Sequence, residues 1–311
     1  MKRHKWLLLL AVGILAILPV FLWDRAIEPA PQFSYYLEAP SAMRLVEVMN
    51  GRPNHERRQI VKQALDAAAI TYSEESVSNP FFNGTNIVVD LGEGRDSLIF
   101  IAHTDRVAEA PGANDNASCV AAGIEALKKI DKEKMPQGLS VRFVFSDGEE
   151  TGLYGAVHHA GSHDLSGVFG VASFELCGIG DAYGVWDVVG PAVGSPIVEA
   201  LLQAGKNLKI YNGTHGGVPR FGSDHLAFSR KGLAAVGVTV LPRHDEDKLR
   251  AYIEDPNNPK WLLNFVRPTI FQTYHTSGDA PDTLDPAALE LTIRLMLETV
   301  RVVGQMVKRN G

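Results

Sequence analysis

The fold is decided by a short apolar run that ends in two polar side chains, LIFIAHTD at residues 98–105. Its β-branched and aromatic residues favour a buried strand, and His103 and Asp105 come where that strand ends. The same arrangement recurs twice further along the chain, in VRFVFSDGEE at residues 141–150 and in GVASFELCG at residues 170–178. Each stretch therefore predicts a buried strand that carries polar side chains at its carboxyl end.

Helical patterns separate these strands and extend to both ends of the domain. Strands are predicted at residues 85–91, 97–102, 140–145, 168–174 and 234–241. Helices are predicted at residues 41–69, as a pair broken at 51–54, and at 117–130, 152–160, 195–204 and 286–307. This alternation predicts an α/β fold: a single domain with a central, largely parallel mixed sheet flanked by helices on both faces. The irregular segment 243–273 is typical of a functional loop.

The composition restricts the class of protein. The chain has 311 residues, of which 45% are apolar, enough for one substantial α/β domain. Its net charge is −6 at pH 7, and no block rich in Lys and Arg follows the first few residues. We therefore expect no nucleic-acid partner. The only two cysteines, Cys119 and Cys177, are too few for a disulfide scaffold.

The amino-terminal residues predict where the protein resides. Residues 1–5 are basic, residues 6–23 form an uninterrupted apolar run, and residues 24–40 are a proline-bearing tether to a domain at 41–311. The apolar run nearly matches a hydrocarbon core of roughly 30 Å, and it lacks the small residues of a signal-peptide cleavage site. We expect an uncleaved transmembrane anchor rather than a cleaved signal peptide. The domain would then face the periplasm or the cell exterior, because the basic end stays in the cytoplasm.

Acidic and imidazole side chains gather at the predicted strand ends. Ligands of open parallel sheets bind beyond the carboxyl ends of the strands, so we expect these side chains to share one site. Two further motifs contribute to it, PGANDNAS at residues 111–118 and YHTSGDAPDTLDP at residues 274–286. Taken singly, an Asp before a helix is usually a cap. Several buried carboxylates together repel one another unless a cation neutralises them, and a set of His and carboxylate ligands suits zinc better than manganese or cobalt.

In order and spacing, the motifs resemble those of the co-catalytic zinc aminopeptidases: AHTD, PGANDNAS, SDGEETGLYG, FELCG and YHTSGDAPDTLD. That superfamily also holds glutamate carboxypeptidases and animal-type glutaminyl cyclases. The resemblance runs from about residue 86 to the end of the chain. It implies two zinc ions, with a single ion as the alternative, and five metal ligands: His103, Asp115, Glu150, Glu175 and His275.

The resemblance also implies a role for each side chain. His103 and Glu175 would hold one ion, Glu150 and His275 would hold the other, and Asp115 would bridge the two. Glu149 would be the general base. Asp105 would orient His103, since metal-bound imidazoles usually donate their other N–H to a carboxylate. The chain departs from the family at Glu175, where an Asp is usual.

The implied activity is that of a metallopeptidase that removes amino-terminal residues from a peptide or small amide substrate by zinc-activated water. Two alternatives stay open: a glutaminyl-peptide cyclotransferase with a single zinc, and a catalytically inactive relative that binds peptides. The sequence leaves open the preferred side chain of the substrate and the oligomeric state.

Three further groups of residues carry weaker signals. Asp224 and His225 resemble a family position near the substrate, although a structural role is equally open. His159 is expected on a helix face away from the site. The thiols of Cys119 and Cys177 are expected to lie close together, because each follows a predicted metal ligand, and a disulfide between them is left open.

The predicted anchor can be tested directly. If residues 6–23 are an uncleaved span, the protein resists carbonate extraction from membranes and retains its original amino end. Fractionation followed by amino-terminal sequencing measures both properties. A mature protein that begins after residue 23 would instead identify a cleaved signal peptide.

Overall fold

The predicted strands pair side by side in one mixed sheet. The structure, a computed structural model, describes residues 41–132, 135–210, 222–249 and 267–310. Seven strands form the sheet: β1 Ser73–Asn79, β2 Phe82–Leu91, β3 Asp96–His103, β4 Leu139–Ser146, β5 Val168–Phe174, β6 Ala182–Trp186 and β7 Ala235–Leu241. Their order is β1-β2-β4-β3-β5-β7-β6. The central strands β4, β3, β5 and β7 run parallel, whereas β1, β2 and β6 pair in antiparallel fashion.

Helices cover the sheet and follow the predicted pattern. They are α1 Ala42–Met49, α2 Asn54–Ala67, α3 Ser118–Lys132, α4 Tyr154–Ser162, α5 Pro196–Leu208, α6 His225–Ser229, α7 Thr269–Gln272 and α8 Pro286–Asn310. Each predicted helix is confirmed, including the break between α1 and α2. The α/β fold with a mixed sheet is confirmed as well. The parallel arrangement is limited to the four central strands. Of the antiparallel strands, the sequence pattern predicts β2 but not β1 or β6.

One face of the sheet is aromatic. Phe100 on β3 packs edge-to-face against Phe143 on β4 and Phe174 on β5, with ring centroids 5.1 and 5.4 Å apart. Helix α3 approaches this face at Gly123, where an added Cβ would lie 3.3 Å from the Phe145 ring. The aromatic rings and the small helix residue together bring α3 close to the centre of the sheet.

The opposite face is aliphatic. Ile99, Ile101 and Val144 form one buried cluster with Ala160 of α4 and Phe228 of α6. Since successive side chains of a strand point to opposite faces, β3 supplies apolar residues to both layers. This continuous burial explains why LIFIA has no polar position, and it confirms that helices flank both faces.

The sheet also determines where the polar strand ends meet. In the parallel pairing of β3 with β4, His103 is the register partner of Ser146. Strand β5 ends at Phe174, immediately before Glu175. The residues that follow these three neighbouring strands therefore emerge at a single edge of the sheet.

No helix among the described residues is long and apolar enough to cross a membrane. The predicted anchor at residues 6–23 and the tether at 24–40 lie outside the described residues.

The aromatic layer supplies a stability test with an internal control. Phe100 is 1% exposed and Phe81 is 85% exposed, so the same substitution samples a buried and a solvated ring. Phe100→Ala is expected to lower the free energy of unfolding by about 3–5 kcal/mol, and Phe81→Ala by about 0.5 kcal/mol or less. Denaturant unfolding measures both values. Equal losses for the two variants would contradict the assignment of Phe100 to the core.

Candidate metal centre

Asp115 lies at the centre of the predicted site. It belongs to the irregular helical turn Ala113–Ala117 that precedes α3, and it is 4% exposed. One carboxylate oxygen lies 3.2 Å from Nε2 of His103, and the other lies 3.2 Å from Nε2 of His275. The two oxygens of a single carboxylate thus face two different imidazoles.

Each imidazole also faces a second carboxylate. Nε2 of His103 is 3.3 Å from an oxygen of Glu175, and Nε2 of His275 is 3.1 Å from an oxygen of Glu150. The structure therefore brings all five predicted ligands together. They form two His/Glu pairs, one on each oxygen of Asp115.

The buried charges in this cluster depend on one another. Burial opposes the charged form of His103, but the charge of Glu175 and the contacts with Asp105 and Asp115 raise its pKa well above the ordinary value. Burial likewise opposes ionisation of Asp115, yet its bonds to His103 and His275 lower its pKa below the ordinary range. Bonds to Asp115 and Glu150 raise the pKa of His275 to about 10. Positive charge is therefore strongly favoured between the carboxylates.

The donor set fits a metal ion. His103, Asp115 and Glu150 each offer one ligand atom, and these three atoms all lie within 4.8 Å of one another. The second oxygen of Glu150 is buried and has no hydrogen-bond partner among the described residues. Imidazole nitrogens and carboxylate oxygens are the donors that zinc accepts in catalytic sites.

Glu149 occupies a different position from Glu150, its neighbour in sequence. Its side chain lines a pocket together with His103, Asp115 and Glu175. Burial, followed by the nearby charge of Glu175, raises the pKa of Glu149 well above its ordinary value, although His103 acts in the opposite direction. A carboxylate in this environment has a raised affinity for a proton.

Asp105 contacts the ring of His103 and also holds the turn after β4. Its two carboxylate oxygens accept the backbone N–H groups of Glu149 and Glu150, at 3.2 and 3.1 Å. Nδ1 of His103 lies 3.5 Å from this carboxylate and 3.1 Å from the backbone carbonyl of Asp105. Both groups of Asp105 therefore face the ring nitrogen on the side away from Asp115.

Two residues that position the Asp115 turn were not singled out by the sequence. Asp279 accepts the backbone N–H groups of Asn114 and Asp115, at 2.7 and 3.1 Å. Arg57 is fully buried and donates to the backbone carbonyl of Gly112 at 3.1 Å. Asp279 is part of the quoted YHTSGDAPDTLDP motif. The signal for Arg57 is its place on the buried stripe of α2, where a charged residue is rare.

Asp224 and His225 lie behind the ligands rather than among them. Both are fully buried; Asp224 accepts a hydrogen bond from Ser146, and His225 contacts the carboxylate of Asp187 at 2.9 Å. The adjacent hydroxyl of Ser223 donates to Glu175. This segment therefore supports one of the predicted ligands from outside the ligand set.

A second cluster of His and Glu side chains surrounds Glu75 on β1. His159 and His163 both contact its carboxylate, through Nδ1 at 2.9 Å and through Nε2 at 2.6 Å respectively. A guanidinium nitrogen of Arg142 lies 3.3 Å from Nδ1 of His163. Because Arg only donates, Nδ1 of His163 must accept and Nε2 must carry the proton. The Glu75 carboxylate is thus hydrogen-bonded by both rings, whereas Nε2 of His159 is buried and has no hydrogen-bond partner among the described residues. His159 contacts this cluster and not Asp115 and its partners, in line with the sequence prediction.

The two cysteines are neighbours in the core. Both Cys119 and Cys177 are buried, and neither forms a disulfide bond. Burial, followed by the neighbouring thiol of Cys177, raises the pKa of Cys119 well above its ordinary value. The predicted proximity of the two thiols is confirmed.

An apolar pocket opens beside the ligands. Beyond His103, Asp115, Glu149 and Glu175, the side chains that line it include Leu176, Trp186, Leu249, Ile270, Phe271 and Tyr274. The ring of Tyr274 stacks on His275 with centroids 3.8 Å apart. The pocket therefore joins the polar ligand set to an aromatic and aliphatic wall.

Comparisons with known proteins find similarity in sequence and in fold. A relative from Mycobacterium tuberculosis, a probable lipoprotein aminopeptidase, LpqL, is 32% identical over 101 residues, which are 32% of this chain and 20% of that protein. The match thus spans about a fifth of the relative's length. LapB from Legionella pneumophila has a TM-score of 0.66 at 17% identity, over 89% of this chain and 77% of its own. A glutaminyl cyclase from Bacteroides thetaiotaomicron has a TM-score of 0.62 at 18% identity, over 88% of this chain and 99% of its own.

At these identities the solved structures establish the shared fold alone, whereas the family match is made on the sequence itself. Residues 86–300 match peptidase family M28, and this range is more than half of the chain. It includes every side chain of the two His/Glu pairs and Asp115 between them. The chain therefore belongs to peptidase family M28.

Proposed function

We propose that this chain is a zinc-dependent aminopeptidase. The observation that carries the proposal is the Asp115 carboxylate, whose two oxygens each face a separate His/Glu pair. A carboxylate that faces two such pairs suits a site for two metal ions, which many hydrolases use to activate water. Membership of a peptidase family and a curated relative described as a probable aminopeptidase support the same activity.

Five side chains would hold the metal. His103 and Glu175 would bind one zinc ion, Glu150 and His275 would bind a second, and Asp115 would bind both. When bound, zinc supplies Lewis acidity, which acidifies water and polarises carbonyl oxygens. Glu175 is one methylene longer than the Asp usual at its position, and the hydrogen bond from Ser223 supports the placement of its other oxygen towards His103.

Glu149 is the proposed general base. It lines the pocket next to the ligands, and its raised pKa favours the uptake of a proton from water. The same carboxyl group would then deliver the proton to the leaving amine. Asp105 holds the backbone of Glu149 and so supports the position of this base. A complete ligand set beside an acid/base group argues against an inactive peptide-binding role.

The apolar wall supports a substrate whose amino-terminal side chain is large and uncharged. Trp186, Phe271 and Tyr274 line the pocket beside the ligands. A charged side chain held against this wall would lose its hydration, and the described residues of the wall offer it no opposite charge. We therefore propose that peptides beginning with Leu or Phe are hydrolysed faster than those beginning with Asp or Lys.

A glutaminyl cyclase is the second candidate, and one observation favours it. The structural match covers 99% of the solved glutaminyl cyclase, whereas it covers 77% of LapB. A cyclase needs the substrate's own amine as nucleophile. A second zinc at His103 and Glu175 would instead bind that amine. Whether this pair binds zinc therefore distinguishes the two activities.

The cellular placement is also part of the proposal. Residues 1–5 would lie in the cytoplasm, residues 6–23 would cross the membrane, residues 24–40 would tether the domain, and residues 41–311 would form the peptidase outside the cytoplasm. A relative described as a lipoprotein aminopeptidase supports a membrane-associated peptidase of this kind.

Two variants separate metal binding from proton transfer. Asp115→Asn weakens both halves of the site and is expected to lose most of the bound zinc. Glu149→Gln keeps the ligands and is expected to keep the zinc, while kcat falls roughly 10²- to 10⁴-fold. Elemental analysis and steady-state kinetics on the purified protein measure the two effects. Full zinc occupancy in Asp115→Asn, or near-normal turnover in Glu149→Gln, would contradict the corresponding role.

Three peptides separate hydrolase from cyclase. A peptide that begins with Leu is expected to release free leucine, and its acetylated form is expected to stay intact because it has no amine for the second ion. A peptide that begins with Gln should lose glutamine rather than ammonia. Mass spectrometry of the products distinguishes these outcomes. Loss of ammonia from the Gln peptide, with the Leu peptide untouched, would identify a cyclase.

A further inference from the structure

We propose that Arg57 is a positioning residue for the metal centre. The helix pair α1–α2 would then be part of that centre, although it precedes residues 86–300, which match the family. The proposal rests on the proposed function, since it concerns the same ligands. Arg57 would hold the backbone between His103 and Asp115 in the form that lets these two ligands face each other.

The hydrogen bonds of Arg57 all go to this stretch of backbone. Its Nε donates to the carbonyl of Thr104 at 2.6 Å, directly after ligand His103. One terminal nitrogen donates to the carbonyls of Pro111 and Gly112, at 3.3 and 3.1 Å, shortly before ligand Asp115. One planar group thus ties together the two ends of the loop that separates the ligands.

The backbone is shaped to receive this side chain. Gly112 has φ 75°, and a Cβ built there would lie 2.6 Å from a terminal nitrogen of Arg57. Any other residue would push the guanidinium away and would be strained at this φ. On the far side of the same turn, Asp279 accepts the N–H groups of Asn114 and Asp115. Arg57 therefore holds one side of the turn by donating to carbonyls, and Asp279 holds the other side by accepting N–H groups.

Burial of a full charge is difficult to explain as packing. Arg57 is 0% exposed and shares the buried stripe of α2 with Ile60, Val61, Ala64 and Leu65. Transfer of an ion from water to the protein interior is unfavourable, so an apolar residue would serve a purely structural core better. Burial lowers the pKa of Arg57 to about 10, which leaves it charged at neutral pH.

The charge has suitable counterparts. Asp105, Asp115 and Asp279 all act on the guanidinium in the direction that favours its charged form. By reciprocity, the guanidinium stabilises these carboxylates before any metal is bound. Arg57 therefore both fixes the backbone of the loop and reduces the repulsion among the acidic groups that the loop gathers.

The remainder of the segment before α2 reinforces this contact. The N–H of Gly51 donates to the carbonyl of Pro111 at 2.9 Å. Arg106 donates in return to the carbonyls of Gly51 and Arg52, at 3.1 and 2.9 Å. The turn between α1 and α2 is thus hydrogen-bonded to the loop that leads from one ligand to the next, and it lies before residue 86, where the family match begins.

Zinc affinity tests the proposal. The full-length wild-type protein and three variants are stripped of metal and titrated with Zn²⁺ against a chromophoric chelator; the visible spectra of their Co²⁺ forms are recorded in parallel. Arg57→Met removes the charge and the hydrogen-bond donors. Arg57→Lys keeps the charge but lacks the planar guanidinium group. Ile60→Ala is the control, because it truncates a fully buried side chain on the same stripe without removing a hydrogen bond.

Arg57→Met is expected to weaken zinc binding roughly 10- to 100-fold, the usual effect of removing a group that orients metal ligands. Arg57→Lys is expected to fall between Arg57→Met and the wild type, and both substitutions should alter the Co²⁺ spectrum. Ile60→Ala should lower Tm but keep wild-type affinity and spectrum.

Wild-type affinity and spectrum in Arg57→Met would overturn the proposal. If Arg57→Met does not fold, wild-type affinity in Arg57→Lys would overturn the proposal. A loss of affinity in Ile60→Ala equal to that in the Arg57 variants would also overturn it. A wild-type protein that binds no zinc would instead reject the proposed function itself.

Discussion

Repulsion between carboxylates is the constraint on which the site depends. Asp115, Glu150 and Glu175 converge on two imidazoles in a largely buried cluster, and Glu149 lies beside them. Like charges at such distances cannot all persist in a medium of low dielectric constant without positive partners. His103 and His275 supply part of the compensation and Arg57 supplies another part, while the donor set suits divalent cations. The parallel strands make this convergence possible, because β3, β4 and β5 deliver their polar ends to the same edge of the sheet.

The backbone around the ligands is held by charged groups from distant parts of the chain. Asp105 accepts two N–H groups from the turn after β4, and Asp279 accepts two from the Asp115 turn. Arg57 performs the complementary task by donating to carbonyls. Ligand geometry is thereby set by hydrogen bonds to the main chain as well as by side-chain packing. Such support would keep the proposed ligands in place before a metal ion binds, and groups that orient ligands raise metal affinity.

The sequence could predict what is local and repetitive. Buried strands such as β3 have continuous apolar runs, and the ligands follow them directly, so both could be read from LIFIAHTD. Strand β1, with the sequence SEESVSN, lies at the sheet edge with mostly exposed side chains, and its pattern resembles that of a polar loop. Strand β6 has only five residues, fewer than a periodic pattern needs. Arg57 bonds to carbonyls 47 to 55 positions away, and no local pattern encodes a contact of that range.

The choice between hydrolysis and cyclisation rests on the pair His103 and Glu175. Both activities could use the half of the site at Glu150 and His275, together with the proposed base Glu149. In the proposed site, the other half would bind the free α-amine and so remove it as a nucleophile. Glu175 is longer than the usual Asp, but one of its oxygens accepts from Ser223, and the other lies 3.3 Å from His103. The hydroxyl thus selects the orientation in which the longer side chain still faces the imidazole. The extra methylene is compatible with a complete second half of the site, and this favours hydrolysis from the amino end.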